Sequence, residues 1–191
     1  MTAYTIKLQP ALTMTDEQFY QLCITNPDLK FERNAQGDLL IMSPTGGETG
    51  NRNIEIAGEF VNWNRQHRLG VLFDSSTGFK LPRGGERSPD VAWVEQSRWD
   101  ALTPEQRQKF PPIAPDFVLE LMSPSDRLSV VQTKMQEYMA SGVRLGWLIN
   151  PSSRQVEVYR QEQVPELLNN PAYLLGETIL PGFVLNMNLI W

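Results

Sequence analysis

In the segment PDFVLELMSPSDRL, residues 115–128, the run over residues 117–122 reads as a buried strand but for one carboxylate, Glu120, between two leucines. An unpaired buried carboxylate is costly, so Glu120 is either paired or used. Strand alternation puts it on one face with Val118 and Met122, while Phe117, Leu119 and Leu121 point the other way. A second acid, Asp90, opens a comparable apolar run, SPDVAWV. Two such carboxylates brought close raise each other's pKa unless a cation compensates. Magnesium does this with a few carboxylate oxygens while keeping several waters.

The helical segment from about residue 127 to 141 offers the partner. At 100° per residue, Leu128, Val130, Val131, Met135, Tyr138 and Met139 form one apolar arc, and Gln132, Thr133, Gln136, Glu137 and Ala140 fill the other side. Lys134 falls inside the apolar arc, where a surface lysine does not belong. From Met122 back to Glu120 is about 7 Å of strand, and from Arg127 to Lys134 about 10 Å of helix. A helix folded back over the sheet therefore brings Lys134 within reach of Glu120, with Asp90 joined through a metal. The competing reading is a buried structural ion pair without chemistry, with Asp90 simply ending a turn.

The elements that must hold these residues follow from pattern. Residues 14–27 read as a short helix with Thr15 as N-cap and Asn26-Pro27 as stop. Residues 29–44 read as a hairpin about Asn34–Gly37. A glycine-rich turn, TGGETG, opens a helix over residues 51–67 with Ile54, Ala57, Phe60 and Val61 as its apolar face. Residues 70–81 read as a second hairpin through Ser75–Gly78. A short helix starts near Thr103, and the helix ending at Gly142 leads into the buried strand RLGWLINP and the half-exposed strand QVEVYR. Strand–helix–strand at residues 117–150 implies a parallel pair with a right-handed crossover. The whole reads as α/β, a mixed β-sheet flanked by helices on both faces, in one domain over residues 1–191.

Other motifs have plainer readings. SPTGGETG lacks the lysine and spacing of a phosphate-binding loop. Ser123 and Ser125 read as helix caps, and the five tryptophans as core or interface packing. Lys80, Arg83 and Arg87 form either a local phosphate-binding strip or a solvated hairpin tip. The single cysteine, Cys23, reads as a buried thiol and rules out disulfides and multi-cysteine zinc motifs; the single histidine, His67, reads as a surface residue. No run is long and apolar enough for a membrane span, and the N-terminus lacks signal-peptide features, so a cytoplasmic location is expected. A net charge of −5 and pI of about 5.0 run against nucleic-acid binding through the whole surface, though not through a local basic strip.

Pro89-Asp90, then Glu120, then a lysine nearby resembles the PD-(D/E)XK nuclease superfamily. The usual motif carries its lysine two residues after the acid; here that slot is Met122, and Lys134 fits the branches whose lysine sits on the following helix. More specifically, LLIMSPTGGETGNRN, SPDVAWV, PDFVLELMSPSDRL, KMQEYMASGV and GWLINP followed by VEVYR resemble, in order, the Uma2 family, a restriction-endonuclease-like group abundant in cyanobacteria. The resemblance implies a restriction-endonuclease-like core and phosphodiester hydrolysis in DNA. Asp90 and Glu120 would hold Mg²⁺ or Mn²⁺ with help from the Leu121 carbonyl, and Lys134 would orient water or offset developing charge. It also implies a glutamate from the first helix of the core, for which Glu48 is the positional match. It implies a homodimer, since cutting both strands takes two sites. No organic cofactor and no membrane partner are expected. Replacing the aspartate or the lysine by alanine should remove activity with little loss of fold. The alternative is a catalytically silent nuclease-like domain that binds protein or nucleic acid.

Overall fold

The computed structural model describes residues 3–191. In chain order its first elements are β1 (Ala3–Ile6), α1 (Asp16–Thr25), β2 (Lys30–Arg33), β3 (Leu39–Met42), α2 (Gly47–His67) and β4 (Gly70–Asp74). The middle of the chain forms β5 (Phe79–Lys80), β6 (Glu86–Arg87), β7 (Val91–Glu95), α3 (Gln96–Asp100), α4 (Pro104–Gln108), β8 (Phe117–Leu121) and α5 (Leu128–Ala140). It closes with β9 (Leu145–Asn150), β10 (Gln155–Arg160), β11 (Glu166–Asn169), β12 (Tyr173–Leu175), β13 (Val184–Asn186) and a 3₁₀ turn at Met187–Leu189.

The strands divide between sheets rather than joining one. Six run in the order β11-β10-β9-β8-β7-β4, five in the order β1-β3-β2-β6-β5, and β12 pairs with β13. In the six-stranded sheet β8 and β9 are parallel and their neighbours antiparallel, so the sheet is mixed as expected. The crossover between the parallel pair is α5. On one face lie α2 and the C-terminal hairpin, with Ile56, Phe60 and Trp63 packed among Phe117, Leu119, Trp147 and Phe183. On the other lies α5, with Met135 and Tyr138 among Val118, Met122 and Leu148. The alternation inferred for β8 is therefore the one observed. Gly146 on β9 lets α5 settle this closely: a Cβ there would stand 2.6 Å from Met135 Cε.

Several boundaries differ from the sequence reading. The helix caps at Thr15 and Thr103 both close as capping boxes. Helix α2 begins at Gly47, four residues early, and buries Thr49, Ile56, Phe60 and Trp63; Ile54 is 67% exposed. Both sets of residues recur at helical spacing, and the larger aromatic stripe wins the core. Residues 70–80 form no hairpin, because β4 pairs with β7 while β5 crosses to the other sheet and pairs with β6. Ser123 and Ser125 do not cap α5, whose N-cap is Arg127 without a side-chain bond. Instead Ser123 Oγ hydrogen-bonds Ser125 Oγ and Asp126 in the preceding turn. Cys23 is half-buried rather than buried, and burial pushes its thiol up to about 11. His67 is exposed and stacks on Trp63. Trp63, Trp93 and Trp147 are core residues. Among the described residues no helix is long and apolar enough to cross a membrane.

Candidate active site

Beyond the Val91–Leu119 pair, the antiparallel register of β7 and β8 sets Asp90 opposite Glu120. The Asp90 carboxylate closes this corner: its Oδ2 accepts the Leu121 N–H at 2.8 Å. Helix α5 lies over the same face, and Lys134 Nζ reaches Glu120 Oε1 at 2.7 Å. One turn on, the buried Tyr138 hydroxyl donates to the same oxygen at 2.9 Å. The spacing of four residues that aligns Lys134 and Tyr138 on the helix is what focuses both on one carboxylate.

The five-stranded sheet supplies the opposite wall. Glu32, on β2, is almost fully buried and its Oε1 accepts Lys134 at 2.9 Å and the Ser88 N–H at 3.1 Å. Its Oε2 accepts Arg87 Nη1 at 2.9 Å. Arg87, also buried, turns its other nitrogens to Glu137 Oε2 at 2.6 and 2.8 Å. Lys134 completes its set with the Ser88 carbonyl at 3.4 Å. Asp90, Glu120, Leu121, Glu32 and Lys134 share one cleft of about 430 Å³. From α2 the cleft receives Thr49 and Asn53.

The structure thus brings together Asp90, Glu120, Leu121 and Lys134, and separates Glu48 from them. Glu48 is 86% exposed on the first turn of α2, pairs with Arg52 at 3.4 Å, and lines a different hollow beside the C-terminus. The first turns of α2 face the cleft with Thr49 and Asn53, which puts Glu48 on the solvent side. The basic strip imagined along residues 80–87 does not form either. Arg87 is consumed by Glu32 and Glu137, and Lys80 pairs with Asp16 at 2.5 Å.

The donor set fits a hard divalent ion. Asp90 Oδ1 and Glu120 Oε2 have no hydrogen-bond partner among the described residues, and all the available ligands are oxygens. Among the described residues no three His, Cys, Asp or Glu side chains cluster for a metal. Two carboxylates with the rest of the shell left to water is the pattern magnesium tolerates and structural zinc does not. Asn53 Oδ1, buried and without a partner, is a ready acceptor for an ordered water in the cleft.

Against this geometry the comparisons are specific. The profile of Uma2, a family described as "Putative restriction endonuclease", matches residues 16–188. The chain belongs to the Uma2 family. A crystal structure of a "putative nuclease belonging to DUF820" from Anabaena variabilis superposes with a TM-score of 0.70 at 21% identity, covering 84% of this chain and 89% of that one. At that identity the likeness shows a shared fold. No curated protein matches the chain.

Electrostatics separate the carboxylates of this Uma2 chain. Burial is the largest influence on Glu120 and raises it; Lys134 pulls it down, and the Asp90 and Glu32 charges push it back up, to about 7. Burial also raises Asp90, against the pull of the Leu121 N–H and Lys134. Burial acts on Glu32 as well, but Lys134 and Arg87 outweigh it and hold that carboxyl down at about 2. Lys134 itself is held above its usual range, because Glu120 and Glu32 together overcome burial. Glu32 and Tyr138 went unseen as site residues in the sequence, and Arg87 entered only as part of a phosphate-binding strip or a solvated hairpin tip. Tyr138 had a signal, lying one turn from Lys134 in the apolar arc. Glu32 had only a weak one, a charge alternating with Phe31 in a short hairpin, and the strand that carries Glu120 belongs to a different sheet.

Because Arg87 neutralises two buried carboxylates at once, Arg87→Met should cost about 3–5 kcal/mol of folding stability, the usual consequence of stranding a buried charge. Urea unfolding at neutral pH measures it; a loss below about 1 kcal/mol would mean the network is solvated.

Proposed function

We propose that the chain is a divalent-metal-dependent endonuclease that hydrolyses phosphodiester bonds in DNA. The observation that carries the reading is the meeting of Asp90, Glu120 and Lys134 in one cleft, with Lys134 Nζ 2.7 Å from Glu120. Asp90 Oδ1, Glu120 Oε2 and the Leu121 carbonyl would hold Mg²⁺ or Mn²⁺. When bound, such an ion lowers the pKa of water and offsets charge on the phosphate. Asp90 is oriented by the Leu121 N–H, and Glu120 by Lys134 and Tyr138. Lys134's longest contact, to the Ser88 carbonyl, is the one it can exchange for a water or a phosphate oxygen. A second copy of the chain would supply the second site that cleavage of both strands needs.

One observation favours a catalytically silent binding domain instead: Lys134 already contacts two carboxylates and a carbonyl. Incubation with supercoiled plasmid in Mg²⁺ or Mn²⁺ separates the two. Nicked and linear products that disappear with a chelator are expected; intact plasmid at all metal concentrations would overturn the proposal.

The Glu120 shift gives a pH dependence. Its folded pKa of about 7 lies above the ordinary 4.5, so its stabilising contribution is present below about 4.5 and lost as pH rises through 7, where a charge forms that Lys134 only partly offsets. A metal compensates that charge and competes with the proton. The rise in melting temperature on adding Mg²⁺ should therefore be larger at about pH 8 than at about pH 6. Equal shifts at both would contradict it.

A further inference from the structure

Lys134 is the lysine the motif singles out, yet its ammonium has three protons and three acceptors: Glu120 at 2.7 Å, Glu32 at 2.9 Å and the Ser88 carbonyl at 3.4 Å. Its charge is spent between two carboxylates. The other buried cation of the cleft, Arg87, is spent in the same way on Glu32 and Glu137. An anionic phosphate entering beside Asp90 and Glu120 would meet four carboxylates, Asp90, Glu120, Glu32 and Glu137, already balanced by Lys134, Arg87 and one divalent ion, which leaves no positive charge to offset its own. A further cation is needed, and it must be one without a carboxylate of its own.

Lys30 meets that description. It is half-buried, and its side chain has no hydrogen bond or ion pair among the described residues. On β2 it shares a face with Glu32, two residues on, because strand side chains alternate. Its cross-strand partner is Met42, as Leu40 is the partner of Glu32, and Glu32, Leu40 and Met42 all line the cleft. Lys30 therefore stands one pair further along the same two strands, opposite the cleft-lining Met42. Its ammonium feels the whole site: burial, then the Lys134 charge, lower it, while Glu32, Asp90 and Glu120 raise it.

We propose that Lys30 is a substrate-binding cation beside this cleft, contacting a DNA phosphate next to the scissile one, while Lys134 acts mainly on Glu120. This rests on the nuclease reading above and names the group that reads its substrate's backbone. A half-buried ammonium with no carboxylate in contact gives up little on meeting a phosphate, whereas the Lys134 charge is already shared between two contacting carboxylates.

The test is binding of a fluorescent DNA duplex in Ca²⁺, followed by anisotropy over a range of salt concentrations, for the wild type and for Lys30→Gln, Lys30→Arg and Arg65→Gln. Arg65 is exposed on the last turn of α2, about 18 Å along the helix from Asn53. Each phosphate contact contributes about one unit to the slope of log affinity against log salt. Lys30→Gln should lower that slope by about 1, and Lys30→Arg and Arg65→Gln should leave it unchanged. An unchanged slope in Lys30→Gln, with the wild type binding, overturns the role of Lys30 and leaves the nuclease reading standing. A wild type that binds no duplex overturns both.

Discussion

Lys134→Met is expected to lower plasmid cleavage by about 10²–10³-fold, the cost of removing one oriented donor from a charge-developing site. It is also expected to cost the metal-free protein about 3 kcal/mol of stability. The sequence alone sets Lys134 against a single carboxylate, so little loss of fold follows from it. The structure sets the same ammonium between Glu120 and Glu32, both buried. Removing it leaves Arg87 and the Ser88 N–H to hold Glu32, but leaves Glu120 with only the Tyr138 hydroxyl. Protonation of Glu120, whose carboxyl is already raised, limits the damage to the lower end of the usual range. Urea unfolding gives the stability term, and cleavage measured well below the melting temperature gives the other. A variant as stable as the wild type would show that Glu120 and Glu32 are neutral together in the native protein.

Asp90→Asn should behave in the opposite way. Cleavage should fall by about 10³-fold or more, because a metal held through one carboxylate loses several kcal/mol of transition-state stabilisation. Stability without metal should be unchanged or slightly higher. The amide oxygen can still accept the Leu121 N–H, and the substitution removes a charge that burial disfavours. The pair of variants thus separates a residue that both supports and reacts from one that only reacts. A large drop in the melting temperature of Asp90→Asn would mean the carboxylate's charge is structural.

The half of the site carried by β8 and α5 was legible in the sequence because period-2 and period-3.6 patterns act locally. Alternation gave Glu120 its face, and the helical angle put Lys134 in the apolar arc; both stand as read. The half carried by β2 and β6 was not legible, because pairing between short strands from distant segments leaves no periodic trace. The same gap made residues 70–80 look like a hairpin when β4 and β5 go to separate sheets. It also hid Arg87, read as part of a phosphate-binding strip or a solvated hairpin tip, as the buried hub between Glu32 and Glu137. Glu48 lies apart for a different reason: it was a positional match in the turn before the helix, and α2 begins at Gly47, so Glu48 falls in the first helical turn while Thr49 and Asn53 take the side that lines the cleft. Met122, the slot where the usual motif has its lysine, is packed beneath α5 in the core. The amine is delivered from the helix above instead of from the strand.

The proposed nuclease needs two carboxylates from neighbouring strands to hold one divalent ion beneath the α5 lysine. Calorimetric titration of Mn²⁺ into the metal-free protein decides this, using the wild type, Asp90→Asn and Glu120→Gln. One site per chain in the wild type, lost in each variant while each remains folded, is the predicted result. Undiminished binding in either variant, or none in the wild type, would contradict it.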